Sequence, residues 1–491
     1  MRVSPPCVAT SERHAAEAGA GVLRAGGSAA DAAIATAAAL TVTEPTSNGL
    51  GGDLFALVWD GSAVTALAAS GASPRRLDVD AVRAEHDAVP LTGWLPVTVP
   101  GQVSGWRALH HRFGRLPWGR LLAPAIGLAE DGFVVGPITA AAWARAEARF
   151  GAFSEWRRVF LPGGLPPGAG QRFSNPDLAA SLAALVADPC ALYTGGLAQR
   201  LVEHSRATGG ALAADDLALH QARWVKPLTA RYRDQQVVGM TAPTQGVVAL
   251  QALAMLESLD GVHAQIEAVK LSFADAYATV SDRADPTALL SPAHVRSRAA
   301  QIGERAGPPV PDPGIRGGTV LLCVSDGTTV ASVIQSNFHG FGSGIVVPGT
   351  GIALQNRGAG FRLDPGHPNA LAPGKRPFHT ILPALLRTAD GWGAFGCMGG
   401  QMQPQGHVQL VTGWQAGSGV QAAIDAPRWR WTDDGRVLLE SGFDDQAAAD
   451  LEDRGHRVER DAPSWQLGGA QAVLPHGVGS DPRKDGRVVW V

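Results

Sequence analysis

Cysteine is scarce in this chain of 491 residues: Cys7, Cys190, Cys323 and Cys397 are the whole set. Four thiols in so long a chain make no disulfide framework, and none sits in a metal-type Cys pair, so four free thiols are expected. Lysine is equally scarce, with only Lys226, Lys270, Lys375 and Lys484 among 41 basic residues. The arginines are scattered rather than clustered and the net charge is −3, so nothing calls for nucleic acid or an anionic membrane as partner. No uninterrupted apolar run is long enough to span a bilayer. The start, Met1-Arg2-Val3-Ser4-Pro5-Pro6, lacks the apolar core of a signal peptide, which leads to the expectation of a soluble, cytoplasmic protein. His339, His367, His379 and His407 are too dispersed to propose a metal site, and no metal or cofactor is expected.

What is present is an ordinary globular composition, 45% hydrophobic, sufficient for a large core. Residues 12–25 have helical periodicity and stop at Gly26-Gly27. Ser28-Ala29-Ala30-Asp31 resembles a capping box and opens an alanine-rich helix to about Leu40. With so few large side chains, that helix is suited to packing flat on a sheet. Two strands follow, turning at Asp60-Gly61, and residues 78–300 read as mostly helical. The stretch Gly303–Gly318 holds four prolines and five glycines and is the clearest linker. Beyond it strands dominate: Thr319–Ser325, a turn at Asp326-Gly327, Thr328–Ser336, then Gly344–Val347, Gly351–Leu354 and Ile381–Arg387. Helices are expected from about Pro404 to Trp414 and from about Asp445 to Arg454. The pattern fits an α/β (α+β) arrangement of two stacked sheets with helices on both outer faces.

The chemistry centres on Gly317-Gly318-Thr319, where the linker runs into a threonine at the head of a strand. A threonine hydroxyl within a chain is a poor nucleophile. If the preceding bond breaks, Thr319 gains an α-amine with a pKa near about 8, which can act as base for its own hydroxyl. Gly-Gly-Thr alone is common in turns.

A longer series of segments carries more. Ala15–Gly27 with Ser28-Ala29-Ala30-Asp31-Ala32-Ala33, Glu44-Pro45, Gly49-Leu50-Gly51-Gly52, Thr98-Val99-Pro100-Gly101 and Leu122-Ala123-Pro124-Ala125-Ile126 come first. Thr319, Asn337, Gly340-Phe341-Gly342-Ser343-Gly344, Gly399-Gly400 and Asp425-Ala426-Pro427-Arg428 follow. In that order, across nearly the whole chain, they resemble the γ-glutamyltranspeptidase family of N-terminal-nucleophile hydrolases, and its cephalosporin-acylase-like branch. The resemblance implies a four-layer αββα sandwich and a precursor that cleaves itself between Gly318 and Thr319. It implies a large subunit of residues 1–318 and a small subunit of residues 319–491 that stay associated, with a dimer of such heterodimers as a further expectation. Thr319 corresponds to the nucleophile, Gly399 and Gly400 to the oxyanion-binding pair, and Asn337 to a residue contacting the acyl donor.

The departures concern substrate. Where glutathione-type members carry an aspartate for the donor α-amine, this chain has Gly360, and Arg357 stands at a Gln position. The family's serine pair is replaced by His379-Thr380. The family's carboxylate-binding arginine has no secure match, since Arg75 and Arg76 are misplaced. Arg357 offers a planar fork for a carboxylate, so Arg357, His379, Thr380 and Asn337 are the expected substrate-binding residues. The expected substrate is a small γ-glutamyl or glutaryl amide. Two alternatives stand beside it: a β-lactam side-chain (glutaryl) acylase, and an uncut, non-catalytic homologue that binds small acidic ligands.

Overall fold

The structure, a computed structural model, describes residues 2–310 and 318–491. Residues 311–317 of the expected linker, including Gly317, therefore lie outside the described residues.

Two antiparallel sheets form the centre. The first has the strand order Arg487–Trp490, Cys7–Thr10, Gly318–Ser325, Val330–Phe338, Asp53–Trp59, Val64–Ala69, Arg223–Val225. The second runs Gly477–Ser480, Gly469–Leu474, Trp392–Met398, Ala384–Arg387, Gln235–Gly239, Leu228–Tyr232. Side chains alternate across each strand. In Gly318–Ser325, Leu321 and Cys323 enter the layer between the sheets, with Phe55, Ile334, Leu385 and Val473. Val320, Leu322 and Val324 face the outer helices instead. The helix Ala29–Thr43 is buried along its entire length and its capping box forms as read, with Ser28 and Asp31 each accepting the other's backbone N–H. On the far side, Gly246–Met255, Val262–Thr279 and Met402–Gln415 cover the second sheet, around Leu386, Phe395 and Ala472. This is the expected αββα sandwich.

The first half is less purely helical than its periodicity suggests. Leu228–Tyr232 and Gln235–Gly239 form the edge of the second sheet, and Arg223–Val225 extends the first. These strands are only three to five residues long, although Leu228–Tyr232 alternates strictly between buried and exposed positions. Trp392–Met398 was not legible as a strand because glycines interrupt it, yet it is central, paired on both sides. Here tertiary packing overrides weak strand propensity. The Ile381–Arg387 strand begins only at Ala384, after Pro383, which has no N–H for a ladder. Each sheet takes strands from before and after Thr319, so the segments on either side of that residue are not separate folding units. No helix among the described residues is long and apolar enough to cross a membrane.

Candidate active site

Thr319 is the second residue of its strand and is 2% exposed. By alternation its side chain shares the face of Leu321, toward the second sheet. There the Gln403 side-chain amide donates to Thr319 Oγ1 at 3.4 Å. Gln403 is fixed in turn: its side-chain oxygen accepts from Leu382 N at 3.0 Å, and its own N–H donates to the Gly400 carbonyl at 3.2 Å. Gly399 and Gly400 have φ of 111° and 63°, a turn that other residues adopt only under strain. A Cβ on Gly399 would also lie 3.1 Å from Gly468 Cα. The turn joins the Trp392–Met398 strand to the N-terminus of the Met402–Gln415 helix. The Gln245 side-chain amide donates to both Gly400 O and Thr380 O, tying the turn to the segment that carries Thr380.

On the other side of Thr319 lies Ser336. A register shift between Gln335 and Phe338, with Phe338 at φ 77°, brings Ser336 over the end of the neighbouring strand. Ser336 Oγ accepts from Phe338 N at 2.7 Å and from Arg357 Nη2 at 3.3 Å, and donates to the carbonyl oxygen of Gly318 at 2.5 Å. Arg357 also donates from Nη1 to Thr380 Oγ1 at 3.0 Å, and its guanidinium stacks on the Phe338 ring at 4.2 Å. Arg357 is fully buried. No carboxylate of the described residues lies within ion-pair distance of it, and its Nε is without a hydrogen-bond partner. Burial pulls its pKa down, and only the more distant charge of Asp53 opposes this. A buried cation without a counter-charge is costly, and this one has open donor capacity.

Thr319, Gly399, Gly400, Arg357 and Thr380, all singled out by sequence, thus fall in one network with Gly318. His379 adjoins it from behind. Its Nε2 lies 3.1 Å from Asp53 Oδ2, at an angle poor for hydrogen bonding, and its ring meets Phe55 edge-on. Asp53 Oδ1 accepts from Gly71 N, Gly101 N and the Gln355 amide, so His379 and Asp53 underpin the loop that carries Arg357. Asn337 lies apart from this network. Strand alternation turns it to the opposite face from Ser336 and Phe338, where it packs on the Gly49–Gly52 loop and donates weakly to Ala353 O at 3.4 Å. Ser336, Gln403 and Gln245 escaped the sequence reading. For Ser336 the signal was its place one residue before Asn337, on the face that Thr319 also uses.

Burial, followed by the repulsion of Arg357, holds the His379 pKa down at about 4. A neutral native histidine contributes stability fully above its ordinary pKa of about 6.5, and that contribution is lost as pH falls through about 4. The thermal midpoint of His379→Gln is therefore expected to fall less steeply than wild type between pH of about 6.5 and 4. Parallel slopes in a melting series would contradict a buried neutral His379.

One group among the described residues has metal-type spacing: His263, Glu267 and His456, with ligand atoms within 4.8 Å of one another. Its atoms already hold each other and the backbone. Lys270 Nζ sits 2.7 Å from Glu267, His263 Nδ1 lies 2.8 Å from His456 Nε2, and Gly303 O and Gly307 take the remaining contacts. This is a polar clamp on the first residues of the linker, Gly303 and Gly307, apart from the Thr319 network.

A family model described as gamma-glutamyltranspeptidase matches residues 15–491. The chain belongs to the γ-glutamyltranspeptidase family. The oxamate amidohydrolase proenzyme of Klebsiella pneumoniae is 38% identical to it, over 99% of this chain and 98% of the relative. The glutathione hydrolase-like YwrD proenzyme of Bacillus subtilis is 34% identical, over 97% of each. Among solved structures, a cephalosporin acylase from Bacillus halodurans superposes with a TM-score of 0.95 at 40% identity, over 100% of this chain and 96% of the other. As a γ-glutamyltranspeptidase-family member this chain is an amidohydrolase with the N-terminal-nucleophile fold.

Proposed function

We propose that this chain cleaves itself between Gly318 and Thr319 and then hydrolyses amides whose acyl group ends in a carboxylate. The observation that carries this reading is the buried, uncompensated Arg357 placed two hydrogen bonds from the Gly318 carbonyl. In self-cleavage, Thr319 Oγ attacks the Gly318 carbonyl carbon. The peptide C–N bond breaks as the nitrogen takes a proton, leaving an ester that water hydrolyses to a Gly318 carboxylate and a free Thr319 amine. Ser336 suits this step. Its oxygen is already occupied by two N–H donors, which leaves its own proton for the Gly318 oxygen, where negative charge develops. Losing one such donor costs about 10²–10³-fold. Ser336→Ala is accordingly expected to slow self-cleavage by about that factor, read as the full-length band persisting on a denaturing gel. Cleavage at the wild-type rate would contradict the role.

In the mature form, the Thr319 amine takes the hydroxyl proton as Oγ attacks the substrate carbonyl, with Gln403 orienting that oxygen. Gly399 and Gly400 receive the oxyanion at a helix N-terminus, whose dipole adds positive potential. The amine leaves, and water releases the acyl group from Thr319. The two fragments stay together because each sheet takes strands from both of them, interleaved in the first and side by side at Ala384–Arg387 and Gln235–Gly239 in the second.

A carboxylate held by Arg357 lies close to the carbonyl under attack, since the two intervening hydrogen bonds measure 3.3 and 2.5 Å. That spacing favours a short dicarboxylic monoamide, and the similarity to an oxamate amidohydrolase supports it. Gly360 offers no acid for a donor α-amine. The likeness to a cephalosporin acylase favours a second reading, a longer glutaryl acyl group on a β-lactam nucleus. Ammonia release from oxamate, succinamate, glutaramate and uncharged propionamide tests both. The charged amides should exceed propionamide in kcat/KM by about 10² or more, the shortest leading. A γ-glutamyl anilide preferred over all of them would overturn the reading, and no hydrolysis of any amide would leave the non-catalytic alternative.

A further inference from the structure

We infer that the chain has a second anion site, built around Arg376 and Arg223, that takes a small oxyanion. A cavity of about 190 Å³ opens between the loop after the Val64–Ala69 strand, the start of the Arg223–Val225 strand and the turn before Pro377. Arg75, Arg223, Arg376, His220, Asp216 and Asp282 line it.

The charges in this cavity do not balance. Arg376 is 9% exposed, yet its guanidinium makes no hydrogen bond to a described residue; its one ion pair, with Asp282, is a loose 3.9 Å. Arg223 has neither an ion pair nor a side-chain hydrogen bond among the described residues. Arg75 meets Asp216 only at 4.0 Å, with its side chain 60% exposed. The two aspartates are meanwhile committed to backbone. Asp216 accepts from Arg75 N and Ala213 N, and Asp282 accepts from Arg376 N. His220 adds no compensation: one ring nitrogen is bonded to Ser104 Oγ at 2.9 Å, and burial holds its pKa at about 4, so it is neutral. Burial and the repulsion of Arg223 also push the Arg376 pKa down. Guanidiniums with open donors around a polar cavity are the arrangement that binds carboxylate or phosphate oxygens in a fork. The volume accommodates a small ion rather than a peptide.

The site is distinct from that of Arg357. Arg357 points at Ser336 and Thr380, and neither it nor those partners line this cavity. An ion at Arg376 therefore need not enter the acyl pocket.

Calorimetric titration of the full chain with inorganic phosphate tests this, with oxalate as a second arm and chloride as control. Phosphate should bind wild type with a Kd of about a millimolar or tighter. Arg376→Gln should abolish binding. Arg223→Gln, at an exposed position where folding is not at risk, should weaken it about tenfold or more. Arg357→Met should leave phosphate binding unchanged. Oxalate binding that survives Arg357→Met but not Arg223→Gln would extend the site to dicarboxylates, whereas phosphate binding alone would restrict it to tetrahedral anions. No phosphate heat at concentrations up to about ten millimolar, or binding lost in Arg357→Met and kept in Arg223→Gln, would overturn it.

Discussion

Thr319→Ala is expected to leave a single full-length chain and to lose amide hydrolysis by about 10⁴–10⁶-fold, the range seen when a nucleophile is removed from a site that keeps its oxyanion donors. One side chain serves both reactions in this account. Its hydroxyl opens the bond to Gly318, and the amine so freed becomes the base that activates the same hydroxyl. Thr319→Ser separates the two demands. It keeps the hydroxyl and loses only the methyl group, so cleavage should proceed and hydrolysis survive, within about tenfold. The fold should tolerate both variants, because Thr319 sits near the strand end and, among the described residues, its side chain makes one weak hydrogen bond, the 3.4 Å bond from Gln403. Circular dichroism that matches wild type, with processing lost only in Thr319→Ala, is the expected pair of observations. An uncut Thr319→Ala that still hydrolyses substrate would remove the nucleophile from the scheme.

Arg357→Met is expected to lower kcat/KM for carboxylate-terminated amides by about 10²–10³-fold, while propionamide changes little or improves. The methionine keeps the apolar stack on Phe338 and removes the buried cation that the described carboxylates leave uncompensated. Stability should therefore rise or hold, since replacing an unpaired buried charge with a packed apolar side chain removes a desolvation cost. That combination, higher melting temperature with lost selectivity, distinguishes a substrate-binding arginine from a structural one. The variant also removes one N–H donor from Ser336, so self-cleavage should slow modestly. Assays are best made on protein left to process to completion. Equal losses on charged and uncharged amides would assign Arg357 to the scaffold.

Much of this site could be read from the chain because glycine and threonine positions carry constraints of their own. The Gly399-Gly400 turn needs left-handed torsions, and Thr319 needs a flexible lead-in and a strand behind it. Arg357 was legible as a charge in place of an amide. That it is wholly buried, with no acid beside it, was not, because burial there depends on tertiary packing, with Phe338 under its guanidinium and Pro96 against the Gly358 backbone. Asn337 shows the limit of matching by position. A register shift at Gln335–Phe338 sets which residues face Thr319, and it brings Ser336 rather than Asn337 to that side. The second sheet was under-read for a related reason: its strands Leu228–Tyr232 and Gln235–Gly239 are short, and Trp392–Met398 is glycine-rich, so only pairing partners make them strands.

The intact mass of the purified, denatured wild-type chain bears most directly on the central claim. Two masses, matching residues 1–318 and 319–491, with Thr319 as the first residue of the smaller fragment, are the predicted result. A single mass for the full chain after prolonged incubation, or a cut at any other bond, would contradict it.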